Sequence, residues 1–378
     1  MKSVICEMFN IEFPLVAFTH CRDVVVAVSK AGGMGVLGAV NMTPEQLAEE
    51  LAWIDAHIDS KPYGVDLIVP NKFIGKGEAV DQNALAAAIP DAHHHFIQEI
   101  LGQHDIPTDG KPELGNMTFV ENLQEEGARD ALEVAFKHPI KLIVNALGVP
   151  PQIMKDMAKQ HNVAVGALVG AKEHAVAQIA SGVDVLIAAG GEAGGHCGDV
   201  STMVLIPEIC RALKEIGDTT PVLAAGGITT GTQMAAAMSM GAAGAWCGSV
   251  WLTTIEAETN PIVKEKMLKA SSRDTVRARS RTGKPSRQLR TAWTDAWENE
   301  NAPEALQMPL QGMITEPALA RVDKLSQSNH EGAKELATYW VGQGVGLMTE
   351  SLSAGQVVQQ FKQDYITAYE TLAASLNG

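Results

Sequence analysis

The chain is poor in basic residues, in aromatics and in paired cysteines, and each shortage removes a class of function. Its 29 Lys and Arg face 44 Asp and Glu, a formal charge of −15. Nucleic-acid binding needs an excess of cations against phosphate, so no nucleic-acid partner is expected. The five cysteines, Cys6, Cys21, Cys197, Cys210 and Cys247, form no C-x-x-C pair. Neither a disulfide framework nor a zinc ribbon is indicated. No run of about 18 apolar residues occurs, so no membrane helix is expected. The opening MKSVICEMFNIEF is interrupted by Glu7, Asn10 and Glu12 and does not make a signal peptide. A reduced, cytoplasmic setting is the expectation. No G-x-G-x-x-G follows the first strand-like run, which argues against a Rossmann domain.

What is present is apolar bulk and glycine: 46% hydrophobic residues and 35 glycines, with only 5% aromatics. That is the make-up of an α/β enzyme rich in tight turns. The 378 residues leave room for one barrel of about 250 with additions. Eight short β-rich runs lie at 14–18, 34–39, 63–69, 140–146, 163–168, 183–188, 221–225 and 243–248. They alternate with stretches such as 44–57 and 172–180, whose apolar spacing suits helices. Several runs are apolar nearly throughout, as when both faces of a strand are buried. The pattern predicts an α/β fold of the (β/α)8 TIM-barrel class, built from residues 1–70 and 139–255.

Two additions interrupt the barrel. Residues 71–138, after the third strand, far exceed a usual βα connection. They hold helical patterns at 81–88 and 121–136 around a turn-rich 105–115, as an inserted lid would. Residues 256–378 form a mostly helical cap whose last part returns to the site. Within it, 264–290 carries ten basic residues against Glu265 and Asp274. Either a solvated helix and loop or a surface that attracts an anionic substrate or cofactor would account for the excess.

Three glycine-rich segments could carry chemistry. AAGGEAGGHCG at 188–198 directly follows the sixth strand, and barrel enzymes place reactive groups at strand carboxyl ends. Its glycines let backbone approach a ligand, and His196 is its one side chain able to exchange protons near neutral pH. A glycine-rich loop with an incidental surface histidine is the alternative. VLAAGGI at 222–228 and GAAGAWCGS at 241–249 end strands seven and eight. There, barrels present backbone N–H groups and a helix N-terminus to phosphate, or simply make tight turns. The triplet His93, His94 and His95 lacks acidic or cysteine partners at ligand spacing, so exposure is expected and no metal site. Cys197 has no orienting third group and reads as structural.

These residues resemble the nitronate monooxygenase family, formerly called 2-nitropropane dioxygenases, which are FMN-dependent barrels. The matching segments are AGGMGVLGA at 31–39, YGVDL at 63–67, GVD at 182–184, EAGGH at 192–196, AAGGI at 224–228, GAAG at 241–244 with Gly248 and Ser249, and GQGVGL at 342–347. They recur in family order between about residues 14 and 347. The resemblance implies that His196 is the catalytic base. It implies that Gly226, Gly227, Gly248 and Ser249 hold the FMN phosphate. Asp66, Ala189, Gly194, Gly195, Gln343 and Gly344 are the further flavin-binding residues it implies. This chain departs from the family in three places. Asp66 stands where asparagine usually meets the flavin edge, Ala189 replaces a glutamine, and FTHCR at 18–22 replaces the usual Pro-Met.

The activity so implied is oxidation of an alkyl nitronate or nitroalkane with O2, with His196 taking the proton next to the nitro group. An NAD(P)H-dependent reductase of quinones or enoyl thioesters on the same FMN barrel is the alternative. A phosphate-ligand-binding barrel without redox chemistry is a second one.

Overall fold

The computed structural model describes residues 1–70, 82–108, 118–122, 124–146 and 148–376. Its centre is a closed barrel of eight parallel strands. In chain order the strands of the molecule are β1 (Leu15–Thr19), β2 (Met34–Gly38), β3 (Tyr63–Leu67), β4 (Leu142–Asn145), β5 (Ala164–Val169), β6 (Val185–Ala189), β7 (Gly195–His196), β8 (Val222–Ala225), β9 (Gly244–Cys247), β10 (Thr275–Ala278) and β11 (Ser286–Leu289). The barrel runs β1-β2-β3-β4-β5-β6-β8-β9 and closes by pairing β9 with β1, Ala17 lying opposite Cys247. The chain is therefore a (β/α)8 TIM barrel, as its eight apolar runs predict.

Burial on both faces explains why the strands lack alternation. One face fills the barrel with Val16, Met34, Val36, Leu142, Val144, Val185, Ile187, Leu223 and Trp246, joined by Ile5 and Phe9 of the N-terminal helix Val4–Phe9. The other face packs on the helices, with Leu15, Leu37, Val65, Ile143 and Leu186 among the contacts. The helices start where the sequence supplies caps: Thr43 and Gln46 make a reciprocal capping box on Pro44–His57, and Thr230 and Gln233 make one on Gly231–Ser239.

The two additions divide by packing rather than by position in the chain. Helix Glu125–Ala135, expected within the lid, buries Ala128, Ala131 and Leu132 in the layer around the barrel. Helix Ala354–Leu376, expected in the cap, does the same through Val357, Val358 and Phe361. Helix Asp91–Gln103 instead joins a separate core with Val263, Met267, Trp293, Trp297 and Val345. The expected helix at 81–88 corresponds to Gln82–Ala87, with residue 81 outside the described residues, as is part of the turn-rich 105–115.

The cap also contains a hairpin that its helical pattern did not suggest. β10 and β11 pair antiparallel, and β11 pairs in turn with β7, His196 lying opposite Ser286. The basic residues hid this signal: Arg277 and Arg287 sit within four-residue strands whose period is 2, too short to stand out in a charged stretch.

Candidate active site

At the carboxyl ends of the barrel strands lies a cavity of about 1040 Å³, open solvent at its mouth included. Asp66, Ala189, Gly194, Gly195, His196, Gly226, Gly227, Gly248, Ser249 and Gly344 all line it. Gln343 does not; its backbone N–H donates to Glu192 O at 2.9 Å, which ties the returning segment to the His196 loop.

The His196 loop is held from three directions. Glu192 accepts from Thr202 N at 2.8 Å and so caps the helix Thr202–Glu215. Gly194 packs on the returning segment so closely that a Cβ would stand 2.8 Å from Gly342 N. From the hairpin, Arg287 donates through Nε and Nη2 to Gly191 O at 3.0 and 2.8 Å. Arg277 donates to Cys197 O at 3.2 Å and pairs with Asp199 at 2.6 Å. Other charges of the basic stretch are also paired, Arg281 with Glu316 at 2.8 Å and Arg290 with Asp295 at 2.7 Å. Neither a wholly solvated run nor a free anion-attracting surface describes it. Two of its arginines position the loop that carries His196.

His196 Nδ1 lies 3.3 Å from Pro285 O, a group that only accepts, so this nitrogen carries the ring proton in the neutral form. Nε2 is then the basic atom, with the Thr282 hydroxyl 3.5 Å away. Burial lowers the imidazole pKa below its ordinary value, the Pro285 carbonyl opposes this, and Lys284 adds to it. The ring is thus neutral near pH 7.

Beside the His196 loop, the ends of β8 and β9 offer backbone N–H groups to an anion. Among the described residues no acceptor takes the backbone N–H of Gly226, Gly227, Gly248 or Ser249. Unpaired N–H groups at a partly open site attract negative oxygens. Ser249 Oγ accepts from Gly342 N at 2.8 Å, which leaves its own proton for a ligand. Gly248 has open space where its Cβ would be, the nearest atom being Phe18 Cδ1 at 3.8 Å. A cradle of this form fits one terminal phosphate.

Asp66 faces the same cavity from β3 and is 2% exposed. Its Oδ1 has no hydrogen-bond partner, and burial raises its pKa well above the usual carboxylate range. A neutral acid at this point can donate a hydrogen bond much as an asparagine amide does. The burial has a measurable sign. In the unfolded chain Asp66 ionises near pH ~3.9, whereas the folded group keeps its proton to higher pH. Stability therefore falls with rising pH, by about 1.4 kcal/mol per unit, until the folded group itself ionises. Asp66→Asn should remove this slope, being more stable than the parent at pH 7 and equal to it at low pH. Urea titrations at several pH values check this. A stability difference that did not vary with pH would mean that Asp66 is already ionised in the fold.

Several wall residues escaped sequence reasoning: Phe18, Thr19, His20, Trp246, Tyr339 and Trp340. The rule that barrel chemistry sits at strand carboxyl ends could have found His20 and Trp246. Tyr339 and Trp340 come from the cap, and only their adjacency in a chain with few aromatics hinted at them. The histidine triplet corrects an expectation. His93 is buried, its Nε2 2.9 Å from Glu304 O, because its side of the helix turns into the second core. His95 is exposed. The Cys197 thiol lies 3.6 Å from Gly191 O, and Cys197 is not among the cavity-lining residues. No described helix is long and apolar enough to cross a membrane.

Similar proteins match along nearly the whole chain. The family model described as nitronate monooxygenase matches residues 2–364. A Mycobacterium tuberculosis protein named as a monooxygenase is 47% identical over 367 residues, 97% of either chain. A Staphylococcus saprophyticus protein named as a nitronate monooxygenase is 26% identical over 95% of this chain and 96% of its own. Among solved structures, a nitroalkane oxidase from Streptomyces ansochromogenes superposes with a TM-score of 0.78 at 23% identity, over 98% of this chain and 100% of that one. FabK from Thermotoga maritima gives 0.71 at 26% identity, over 99% of both.

Proposed function

The chain belongs to the nitronate monooxygenase family, and from that premise we propose that it is an FMN-dependent enzyme oxidising alkyl nitronates or nitroalkanes with O2. The observation that carries this reading is the meeting, in one cavity, of four unpaired backbone N–H groups and the basic Nε2 of His196. Gly226, Gly227, Gly248 and Ser249 would hold the FMN phosphate. Asp66, Ala189, Gly194, Gly195 and Gly344 would line the rest of the cofactor. As a neutral acid, Asp66 donates a hydrogen bond without repelling negative charge, so its replacement of asparagine is compatible with a flavin. When bound, FMN supplies the redox chemistry with oxygen.

The protein's own part begins with a proton. His196 Nε2 takes the hydrogen from the carbon beside the nitro group, and the carbon–hydrogen electron pair moves into a C=N bond of the nitronate. The Pro285 carbonyl then faces an imidazolium and steadies it. With a pre-formed nitronate the same ring, once protonated, pairs with the anion. The carbonyls held by Arg277 and Arg287 keep the ring at the cavity wall through both roles.

The purified protein should be yellow and release about one FMN per chain, because the cradle suits a single terminal phosphate and no dinucleotide fingerprint occurs. Chromatography of the released cofactor, with spectra taken before and after anaerobic addition of a nitronate or NADH, tests this. Release of FAD would overturn the assignment. A protein that stays colourless when FMN is supplied is instead a phosphate-ligand barrel without redox chemistry. Rapid bleaching by NADH, with none by nitronate, makes it a reductase of quinones or enoyl thioesters.

A further inference from the structure

Two histidines open into the cavity, and His196 is only one of them. His20 follows β1 and lines the same cavity. Its Nδ1 lies 2.8 Å from the Gly38 carbonyl, so the neutral ring carries its proton there and Nε2 is the basic atom. Among the described residues nothing donates to Nε2. The ring cannot swing freely. Phe18 meets it edge-on at 5.2 Å and 77°, and a Cβ on Gly38 would stand 2.8 Å from His20 Cε1. A fixed tautomer, a fixed orientation and an unpartnered basic nitrogen facing a cavity are what general-base catalysis needs.

We propose that His20 Nε2 is a second proton acceptor for the substrate carbon, acting from the β1 side of the cavity. The proposal rests on the nitroalkane reading above. In the step the carbon–hydrogen bond beside the nitro group breaks and an N–H bond forms on Nε2. The electron pair becomes the C=N bond of the nitronate, its charge resting on the nitro oxygens, and nothing is oxidised. The surroundings favour this direction. Desolvation lowers the imidazole pKa from its ordinary value, the Gly38 carbonyl opposes this, and the Arg281 charge adds to it, which favours the neutral, proton-accepting ring.

The role is read by exchange of substrate protons, which needs no oxygen. The FMN-loaded protein is incubated anaerobically with nitroethane in D2O, and loss of the α-proton signal is followed by NMR. Wild type should exchange it. His196→Asn should keep a residual rate above the solution background, and adding His20→Gln should remove at least a further ~10-fold, the low end of what a general base contributes. His20→Met, an apolar side chain of similar reach, should do the same, and serves if the glutamine variant loses its fold. Flavin affinity, followed by fluorescence, should be unchanged by either replacement. If the double variant exchanges as fast as His196→Asn alone, His20 takes no proton and the proposal is wrong. The same holds if wild type consumes nitronate but exchanges no α-proton. If wild type neither exchanges the proton nor consumes nitronate, the nitroalkane reading itself has failed.

Discussion

His196→Asn should lose about 10²–10⁴-fold in turnover of a neutral nitroalkane while keeping its fold and its flavin. Asparagine can occupy the space and donate to Pro285 O, but it cannot accept the substrate proton. Residual activity passes to His20, which sets the floor at more than the solution rate. With a pre-formed nitronate the loss should be smaller, because the proton is already gone. The pH dependence carries its own sign. The base must be unprotonated, so kcat/KM for the neutral substrate rises with pH through the pKa of the ring. Burial lowers that pKa for His196, which puts the rising limb below the ~6.5 of a free imidazole. The variant should lose most of this limb. Measuring both substrates over pH separates proton removal from anion binding. Equal turnover of nitroalkane by wild type and variant would reduce His196 to a loop residue.

The second large effect concerns Gly248→Leu, which should weaken FMN binding by about 100-fold or more, ~2.7 kcal/mol. Its melting temperature should stay within a few degrees of wild type. The backbone at Gly248 has an ordinary φ of −113°, and a side chain there meets only open cavity before Phe18. The branched group would therefore stand where phosphate must come. Neighbouring glycines would not make this test. Gly226 and Gly227 adopt φ of +104° and +70°, and a Cβ would press on Thr202 Oγ1 at 2.7 Å and Glu192 Cβ at 3.0 Å. Replacing either costs the left-handed penalty of about 1–2 kcal/mol before any ligand is considered. Fluorescence titration of FMN, paired with thermal unfolding, distinguishes the two kinds of glycine. Normal FMN affinity in Gly248→Leu would mean that the phosphate lies elsewhere.

The barrel was legible because its strands are buried on both faces. Runs such as VAFT and LIVN lack the alternation of a half-exposed strand, and most stretches between them carry helical spacing. Glycine pointed to the cavity wall at Gly226, Gly227 and Gly248, all of which line it. The site was not legible where the signal is a meeting of distant segments. Nothing in Arg287 announces that it grips the Gly191 carbonyl, since that bond exists only once β11 lies beside β7. Asp66 illustrates a different gap. Its letter suggests a negative charge, whereas its depth in β3 raises its pKa well above the usual carboxylate range. His20 went unread for the opposite reason: as one residue in a segment departing from the family, it had no motif to point at it. Of the two residues expected from the returning segment, Gly344 lines the cavity and Gln343 does not.

The pairing of β7 with the hairpin also orders events during synthesis. The barrel's last strand ends at Cys247, so all eight staves exist on the nascent chain before the ribosome has made the hairpin. His196 cannot be oriented then, because the Pro285 carbonyl that fixes its ring comes 89 residues later. Gly344, Tyr339 and Trp340 arrive later still. The orientation of His196 is thus acquired only after all eight staves have been made, and a chain that stopped short of the hairpin would lack the carbonyl that fixes its ring.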